Sequence, residues 1–365
     1  VLADGRPMVR LSRAETQERN RAKVLAAARD EFAEQGFRDA KIDVIAERAE
    51  LTRGAVYSNF PGKRALYFAV LAELAERSAG APHSVPGETL EGALGALARA
   101  RVAVLPLDDD QAGLARDLMP EVLADEHVRR PFAQLVKLNG LLLGLALERL
   151  DPPERTAASP IPRRVRLAET VLTTLHGAGQ LAATAPGLVE PFDVVSACER
   201  LAGLAFNDWW APPVIAPTAQ AADRPWSPPG AVDLVRAESF VPGDGVVVVL
   251  GTHRLAAAEE AVRASGGEVT VVAVTSDPDE LVPLTRLIVA ELCGGLRQAF
   301  PGSAWPGVRV VCDATGTLAA AAGVLAVSDE TEAAIRVERG RIVAIADGRG
   351  AGHAVSGEVS RVDSS

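Results

Sequence analysis

One stretch combines residue types and spacings that could do chemistry: Lys41 to Lys63, KIDVIAERAELTRGAVYSNFPGK. Its first half is apolar at Ile42, Val44, Ile45, Ala46 and Ala49 and predicts a short helix. Glu50-Leu51 makes a turn with Leu51 inward. Thr52 can cap a second helix, Arg53 to Asn59, because its hydroxyl can accept from an otherwise orphan backbone N–H. Val56 and Phe60 lie four apart and can bury together. Arg53, Gly54, Tyr57 and Ser58 are left outside. A two-turn helix with a small, polar and aromatic outer face is not built for its own stability. That face suits insertion into a DNA major groove, where small residues allow close approach and polar ones reach base edges and phosphates.

Other chemistries find little support. Cys198, Cys293 and Cys312 are far apart and odd in number, with no CxxC pair and no zinc spacing, which fits a reducing cytoplasm. His127, His176, His253 and His353 share no ligand spacing, and no metal or other cofactor is expected. The chain has no G-x-G-x-x-G after a strand, no P-loop and no G-x-S-x-G. GRGAG (348–352) follows a predicted hairpin strand and enters no predicted helix. Asp108-Asp109-Asp110 reads as a cap and solvated turn.

The elements that must position the 41–63 stretch can be read around it. Glu15 to Gln35 predicts a helix with Val24, Leu25, Ala28 and Phe32 as its buried stripe. Gly36 ends it and Phe37 folds back onto the core. Pro61-Gly62 breaks the chain before a helix from Lys63 to about Ala79, with Leu66, Val70, Leu71 and Leu74 inward. Lys63 sits in that helix's first turn, where a phosphate could meet its ammonium and free backbone N–H groups.

The motifs VLAAARDEFAEQGF (24–37), IAERAEL (45–51), TRGAVYSNFPGK (52–63) and ALYFAVL (65–71) make the segment from about Glu15 to Leu74 resemble the DNA-binding domain of the tetracycline-repressor (TetR) family of bacterial regulators. Gly36, Ala46, Ala49, Tyr57, Phe60 and Lys63 fall at mutually fitting spacings. Two positions depart from the family pattern. Glu50 stands where the turn usually has Gly, placing a side chain where the backbone favours a left-handed conformation. Lys41 stands where a Ser or Thr usually caps. The resemblance implies that Lys41, Thr52, Tyr57 and Lys63 hold phosphates, that Arg53, Gly54 and Ser58 face base edges, and that Asn59 joins the DNA-binding set.

Charge distribution agrees. The formal net charge is −10, yet residues 1–79 hold 14 Lys+Arg against 12 Asp+Glu, so only the DNA-binding end is net basic. Residues 1–14, with Arg6, Arg10 and Arg13, read as a basic tail that could reach the minor groove or phosphates. There is no apolar secretory region and no run approaching the ~20 residues of a membrane span.

Five parts are expected: a tail (1–14), a helix-turn-helix domain (15–79), a helical region (80–210), a Pro-rich linker (211–230) and an α/β domain (231–365). Helices are predicted near 88–105, 110–124, 126–150, 163–185 and 191–210. By the resemblance, the last two pack on their copies in a homodimer, and the earlier ones enclose a small-molecule effector. The linker has six prolines and suits a semi-rigid spacer. From Gly243 the period changes to strand–helix alternation, VVVVL (246–250), EVTVVAV (268–274) and VRVVC (308–312), closing with a hairpin turned at Arg339-Gly340.

The order of these strands, with VCDATGTLAAAAGV (311–324) and AIRVERGRIVAIADG (334–348), resembles a thioredoxin-like fold of the peroxiredoxin type. Where such enzymes carry the reactive thiol, this chain reads GTHRLAAAEEA (251–261). Thiol catalysis needs a thiolate, so no enzyme activity is expected. The fold class is thus multidomain: all-α helix-turn-helix and helical parts, then an α/β thioredoxin-like part. The function expected is a cytoplasmic, ligand-responsive, homodimeric regulator, a repressor as is commoner in the family, bound to pseudo-palindromic operator DNA. A redox-sensing or thiol oxidoreductase protein is the alternative.

Overall fold

A computed structural model describes residues 12–78, 85–105, 114–152, 163–185 and 187–357. Arg6, Arg10 and the Asp108-Asp109-Asp110 turn lie outside the described residues. The chain begins with α1 (Arg13–Asp39), capped by Ser12, which accepts from Glu15 N while the Glu15 side chain returns to the Ser12 N–H. Gly36 interrupts it at φ 72°, a left-handed conformation that glycine takes without a Cβ penalty. The chain there turns Phe37 inward. Next come α2 (Ile42–Arg48), α3 (Arg53–Tyr57) and α4 (Lys63–Ser78). Phe32, Phe37 and Tyr67 fill the core between them, with Tyr67 4.9 Å from Phe37 and edge-on to Phe32 at 5.3 Å. The Tyr67 hydroxyl finds an acceptor in Leu114 O at 2.5 Å.

The helical region comprises α5 (Leu90–Val102), α6 (Leu118–Ala124), α7 (Glu126–Leu150), α8 (Val165–Thr184) and α9 (Pro191–Leu201). Of the helix predicted over 110–124, the described residues form a 3-10 turn at Leu114–Asp117 followed by α6. The helix predicted over 191–210 stops at Leu201. Asp208 explains why. It is buried and accepts from Arg166 N in the first turn of α8 at 2.6 Å, while its backbone O accepts from Arg163 N. A continuous helix would carry Asp208 away from the N–H groups it satisfies. No helix of the described residues is long and apolar enough to cross a membrane.

The C-terminal part is a six-stranded mixed sheet. Its strands are β1 (Gln220–Pro225), β4 (Gly245–Gly251), β5 (Val269–Val274), β6 (Val308–Cys312), β7 (Glu332–Glu338) and β8 (Arg341–Asp347), in spatial order β1-β8-β7-β4-β5-β6. A separate hairpin joins β2 (Ala231–Asp233) to β3 (Glu238–Phe240). Strands β4, β5 and β6 are parallel; β7 pairs antiparallel with β4, β8 with β7 and β1 with β8. Four helices accompany them: α10 (Ala258–Ala264), α11 (Pro278–Ala299), α12 (Thr317–Ala321) and α13 (Ala351–Ser356).

Two of these elements correct the sequence reading. Strand β1 lies inside the Pro-rich stretch expected as a linker. It takes the sheet edge, where a proline's missing N–H costs no ladder bond. Helix α13 begins inside GRGAG, at Ala351, where no helix was expected. Left-handed Gly348 (φ 98°) and Gly350 (φ 85°) turn the chain into it, and six residues are too few to show a helical period.

Strand alternation divides the sheet's side chains between two cores. Val247, Val249, Val272, Val274 and Ile335 face Trp226 and α12. Val246, Val248, Leu250, Val271 and Val310 face the other way, into a core that runs on through α11 into the helical region and α1. Helix α11 is the shared element. Thirteen of its residues are buried, so it is enclosed on nearly every side, and it packs on α4, α5 and α7 as well as the sheet. Gly295 lets α5 close in, since a Cβ there would stand 2.7 Å from Leu97. The Asn139 amide on α7 donates to Ile288 O at 2.9 Å in the buried interior. Two arginine–carboxylate pairs bind α11 to α4. Arg64 joins Glu280, and also Asp125 at 2.8 Å; Arg286 grips Glu76 through two bonds of 2.8 and 2.7 Å. The division expected at 211–230 is therefore not matched by a break in the core.

Leu284 of α11 has no exposed surface. Leu284→Ala should cost about 2–5 kcal/mol. Hydrogen exchange followed in both α4 and β4 should show the two losing protection together; loss in β4 alone would mean the halves unfold independently.

Candidate nucleic-acid interface

The turn between α2 and α3 forms as its residues require. Glu50 sits at φ 56°, a left-handed conformation costing a non-glycine residue about 1 kcal/mol. Its carboxylate pairs with Lys23 on α1 at 3.0 Å. Leu51 N donates to Ala46 O, closing the turn, and Thr52 Oγ1 accepts from Ala55 N at 3.2 Å to cap α3. Val56 and Phe60 are buried. Arg21 of α1 lies 4.2 Å from the Phe60 ring and donates to Asn59 O, so α1 carries α3 on its flank.

Of the expected contact residues, Lys41, Thr52, Arg53, Gly54, Tyr57 and Ser58 are each exposed. Gly54 is informative. A Cβ there would meet nothing closer than Thr52 Oγ1 at 3.9 Å, so the fold does not require glycine. Arg53 rests against Asp43 at 3.2 Å and near the Tyr57 ring at 5.6 Å. An exposed pair of this kind is weak and exchanges readily. Lys41 occupies the cap position of α2 without a side-chain cap bond. Its backbone N–H donates to the buried Glu31, which also pairs with Arg48.

Asn59 and Lys63 are placed differently from the rest. The Asn59 amide turns back and donates to Ala55 O at 2.8 Å. Lys63 Nζ donates to Arg38 O and Ala40 O, both at 2.9 Å, and lies 4.8 Å from the Phe37 ring. Two of its three N–H groups thus satisfy carbonyls where α1 ends. Thr16, Gln17 and Asn20 lie on the face of α1 away from the buried stripe by which the sequence shows that helix. With Arg13, Ala55, Ser58 and Asn59 they line a cleft of about 590 Å³ between α1 and α3.

At the sheet's parallel-strand ends, Thr252 follows β4 where a reactive thiol was considered. Its hydroxyl donates to Asp329 Oδ1 at 2.6 Å, as does Thr275, and Ser276 adds its N–H and hydroxyl. A Cβ on Gly251 would overlap the backbone of Ser328 and Asp329, so the 328–330 loop closes over this position. Burial works to raise the Asp329 carboxyl, but the donors prevail and hold it down at about 2. All three cysteines are free thiols. Burial pushes Cys198 up to about 11 and Cys293 and Cys312 up to about 12, which keeps them protonated near neutrality.

His253 pairs with Glu330, and His353 lies 6.0 Å from the Trp210 ring. Among the described residues neither joins a group of three metal-ligating side chains. His127, Asp277 and Glu280 do approach one another. Asp277 already caps α11 by accepting from Glu280 N, and Glu280 is held by Arg64.

Residues 24–70 match the family profile for bacterial regulatory proteins, tetR family. Two curated proteins of Pseudomonas putida are each 46% identical to the chain over 65 residues: the HTH-type transcriptional regulator SrpR and the uncharacterized HTH-type transcriptional regulator TtgW. The match covers 18% of this chain and 30% of the first relative and 48% of the second. The chain thus spans less than half the length of either relative. Among solved structures, a TetR-family transcriptional regulator of Pectobacterium atrosepticum is 26% identical over 52% of this chain and 95% of its own, with a TM-score of 0.37.

Gly54→Ala should leave the fold as stable or raise it by up to about 1 kcal/mol, as helix propensity predicts. It should weaken DNA binding by blocking close approach; thermal melting and fluorescence anisotropy measure the two separately. Asp329 contributes stability above its unfolded value near 3.8 and loses it as pH falls toward about 2. Asp329→Asn should therefore reduce stability at pH 7 and flatten the wild-type decline between about pH 4 and 2, read from denaturant midpoints.

Proposed function

The chain carries the DNA-binding domain of the bacterial tetR regulatory family over residues 24–70, and from that premise we propose that it is a transcriptional regulator that binds operator DNA through α3. The observation that carries this reading is the outer face of α3. Glycine at 54 serves no internal packing, and Arg53, Tyr57 and Ser58 are exposed beside it. Arg53, Gly54 and Ser58 face base edges, with Arg53 leaving Asp43 to take a guanine. Lys41, Thr52 and Tyr57 contact phosphates, and Lys63 reaches one with its remaining N–H. Asn59 holds the end of α3 in place. The cleft beside Thr16 and Asn20 accommodates the flanking backbone.

The regulator acts as a homodimer on a pseudo-palindromic site, its two heads ~34–36 Å apart. Exposed Leu181 on α8 and Phe192 on α9 support pairing through these helices. A small-molecule effector releases it, so that it represses until the effector arrives. The strand order β8-β7-β4-β5-β6 supports a thioredoxin-like α/β part. Thr252 after β4 and three protonated thiols favour a structural or sensing role for it over catalysis, with no cofactor. The unpaired thiols suit a cytoplasmic setting.

Fluorescence anisotropy on the chain's own upstream intergenic DNA, with random DNA alongside and a salt titration, tests the reading. The expectation is tight binding of two subunits to one DNA and a log–log salt slope of several units. Lys63→Ala should weaken binding to every sequence and make that slope shallower by about one. Equal, weak binding to both DNAs would count against an operator there, and an unchanged slope against Lys63 touching phosphate.

A further inference from the structure

A cavity of about 900 Å³ opens between α4, α11, the β2–β3 hairpin and the end of β6. From the helical part it takes Glu76; its other lining residues come from 229–318. Its volume is that of a small-molecule site. Val282, Phe240, Val311 and Leu318 make the walls apolar, and it opens to solvent past Val232 and Val241, both more than half exposed.

The charged groups facing it are Glu76, Arg286 and Asp313, and they are unequally committed. Asp313 accepts from Thr317 N at 3.1 Å and Ala319 N at 2.8 Å, and so is spent on the first turn of α12. Arg286 uses Nε and Nη2 on Glu76. Its Nη1 meets no hydrogen-bond acceptor among the described residues. An anion can therefore bind the guanidinium without first breaking a contact. A cation would have to displace Arg286 from Glu76. The Thr315 hydroxyl donates to Asp313 and stands 2.9 Å from that of Thr317, so Asp313 is bound on this side as well.

We propose that this cavity binds a small amphipathic organic acid, its apolar body against Val282, Phe240 and Leu318 and its carboxylate on Arg286. The site lies at the seam between the two halves, not inside the helical bundle. Glu76 and Arg64 lie on α4, the helix that follows the recognition helix, and both are held by α11. A carboxylate on Nη1 shares the guanidinium charge that grips Glu76, which weakens one of those two grips and lets α4 shift, carrying α3 with it. This coupling rests on the regulator reading; the binding itself does not.

The test uses the full chain and three ten-carbon probes, decanoate, decylamine and decanol, in isothermal titration calorimetry. Decanoate should bind once per chain and at least about tenfold tighter than decylamine, as one charge-assisted contact gives. Arg286→Met should remove that preference while decanol binding persists. Val282→Trp, which fills the cavity, should weaken decanoate and decanol alike. Melting curves first establish that each variant is folded; the Arg286→Met comparison decides the matter where Val282→Trp is not. Absence of decanoate binding up to about 1 mM, tighter binding of decylamine, or an unchanged preference in Arg286→Met would overturn the site. Operator anisotropy with and without decanoate separates the two readings. Decanoate binding without any DNA binding leaves the site standing and sinks the regulator; DNA binding without decanoate binding does the reverse.

Discussion

Burial of α11 between the sheet and the helices is the constraint on which the rest of the molecule depends. A helix with thirteen buried residues cannot be stable alone in water. It needs α4, α5 and α7 on one side and the parallel strands on the other. Those elements need it equally, because their apolar faces meet on it. The two arginine–carboxylate pairs to α4 are only partly buried. They fix register along a seam that the hydrophobic contacts hold together.

This arrangement makes the DNA-binding head part of a larger body. Its own core of Phe32, Phe37 and Tyr67 is small, and α4 is shared with what lies behind it. Lys63 illustrates how closely the head's parts are tied. The same ammonium stands at the start of α4, closes the end of α1 and lies beside Phe37. A displacement of α4 is therefore felt at α1, and through Arg21 and Asn59 at α3. Rigid packing of this kind transmits shifts because the core has little space in which to absorb them.

Much of this was legible in the sequence, and the limits were physical. The stretch TRGAVYSNFPGK announced α3 because its capping, burial and outer face are all local. The β4, β5 and β6 runs were legible because strands buried on both faces read as continuous apolar segments. The partners of α11 were not. Apolar periodicity shows that a face is buried but not what covers it, and α4 lies some two hundred residues away in the chain. Strand β1 was hidden by the prolines that an edge position tolerates. The end of α9 was hidden because apolar spacing continues past Leu201, while the bonds that hold Asp208 against the start of α8 are tertiary. At the interface, spacing located Lys63 and Asn59 but not the carbonyls that turn both inward.

The chain order of the seam also matters during synthesis. Helix α4 is finished by residue 78, and α11 begins at residue 278. At ~5–20 residues per second, roughly 10 to 40 seconds of translation separate them. For that interval the face of α4 that α11 will cover is open to water, and the nascent head has to remain soluble without it. Final assembly then requires contacts of high sequence separation, which slow folding. A chain cut short anywhere between residues 78 and 299 keeps all the proposed DNA-contacting residues but lacks the complete helix on which α4 packs.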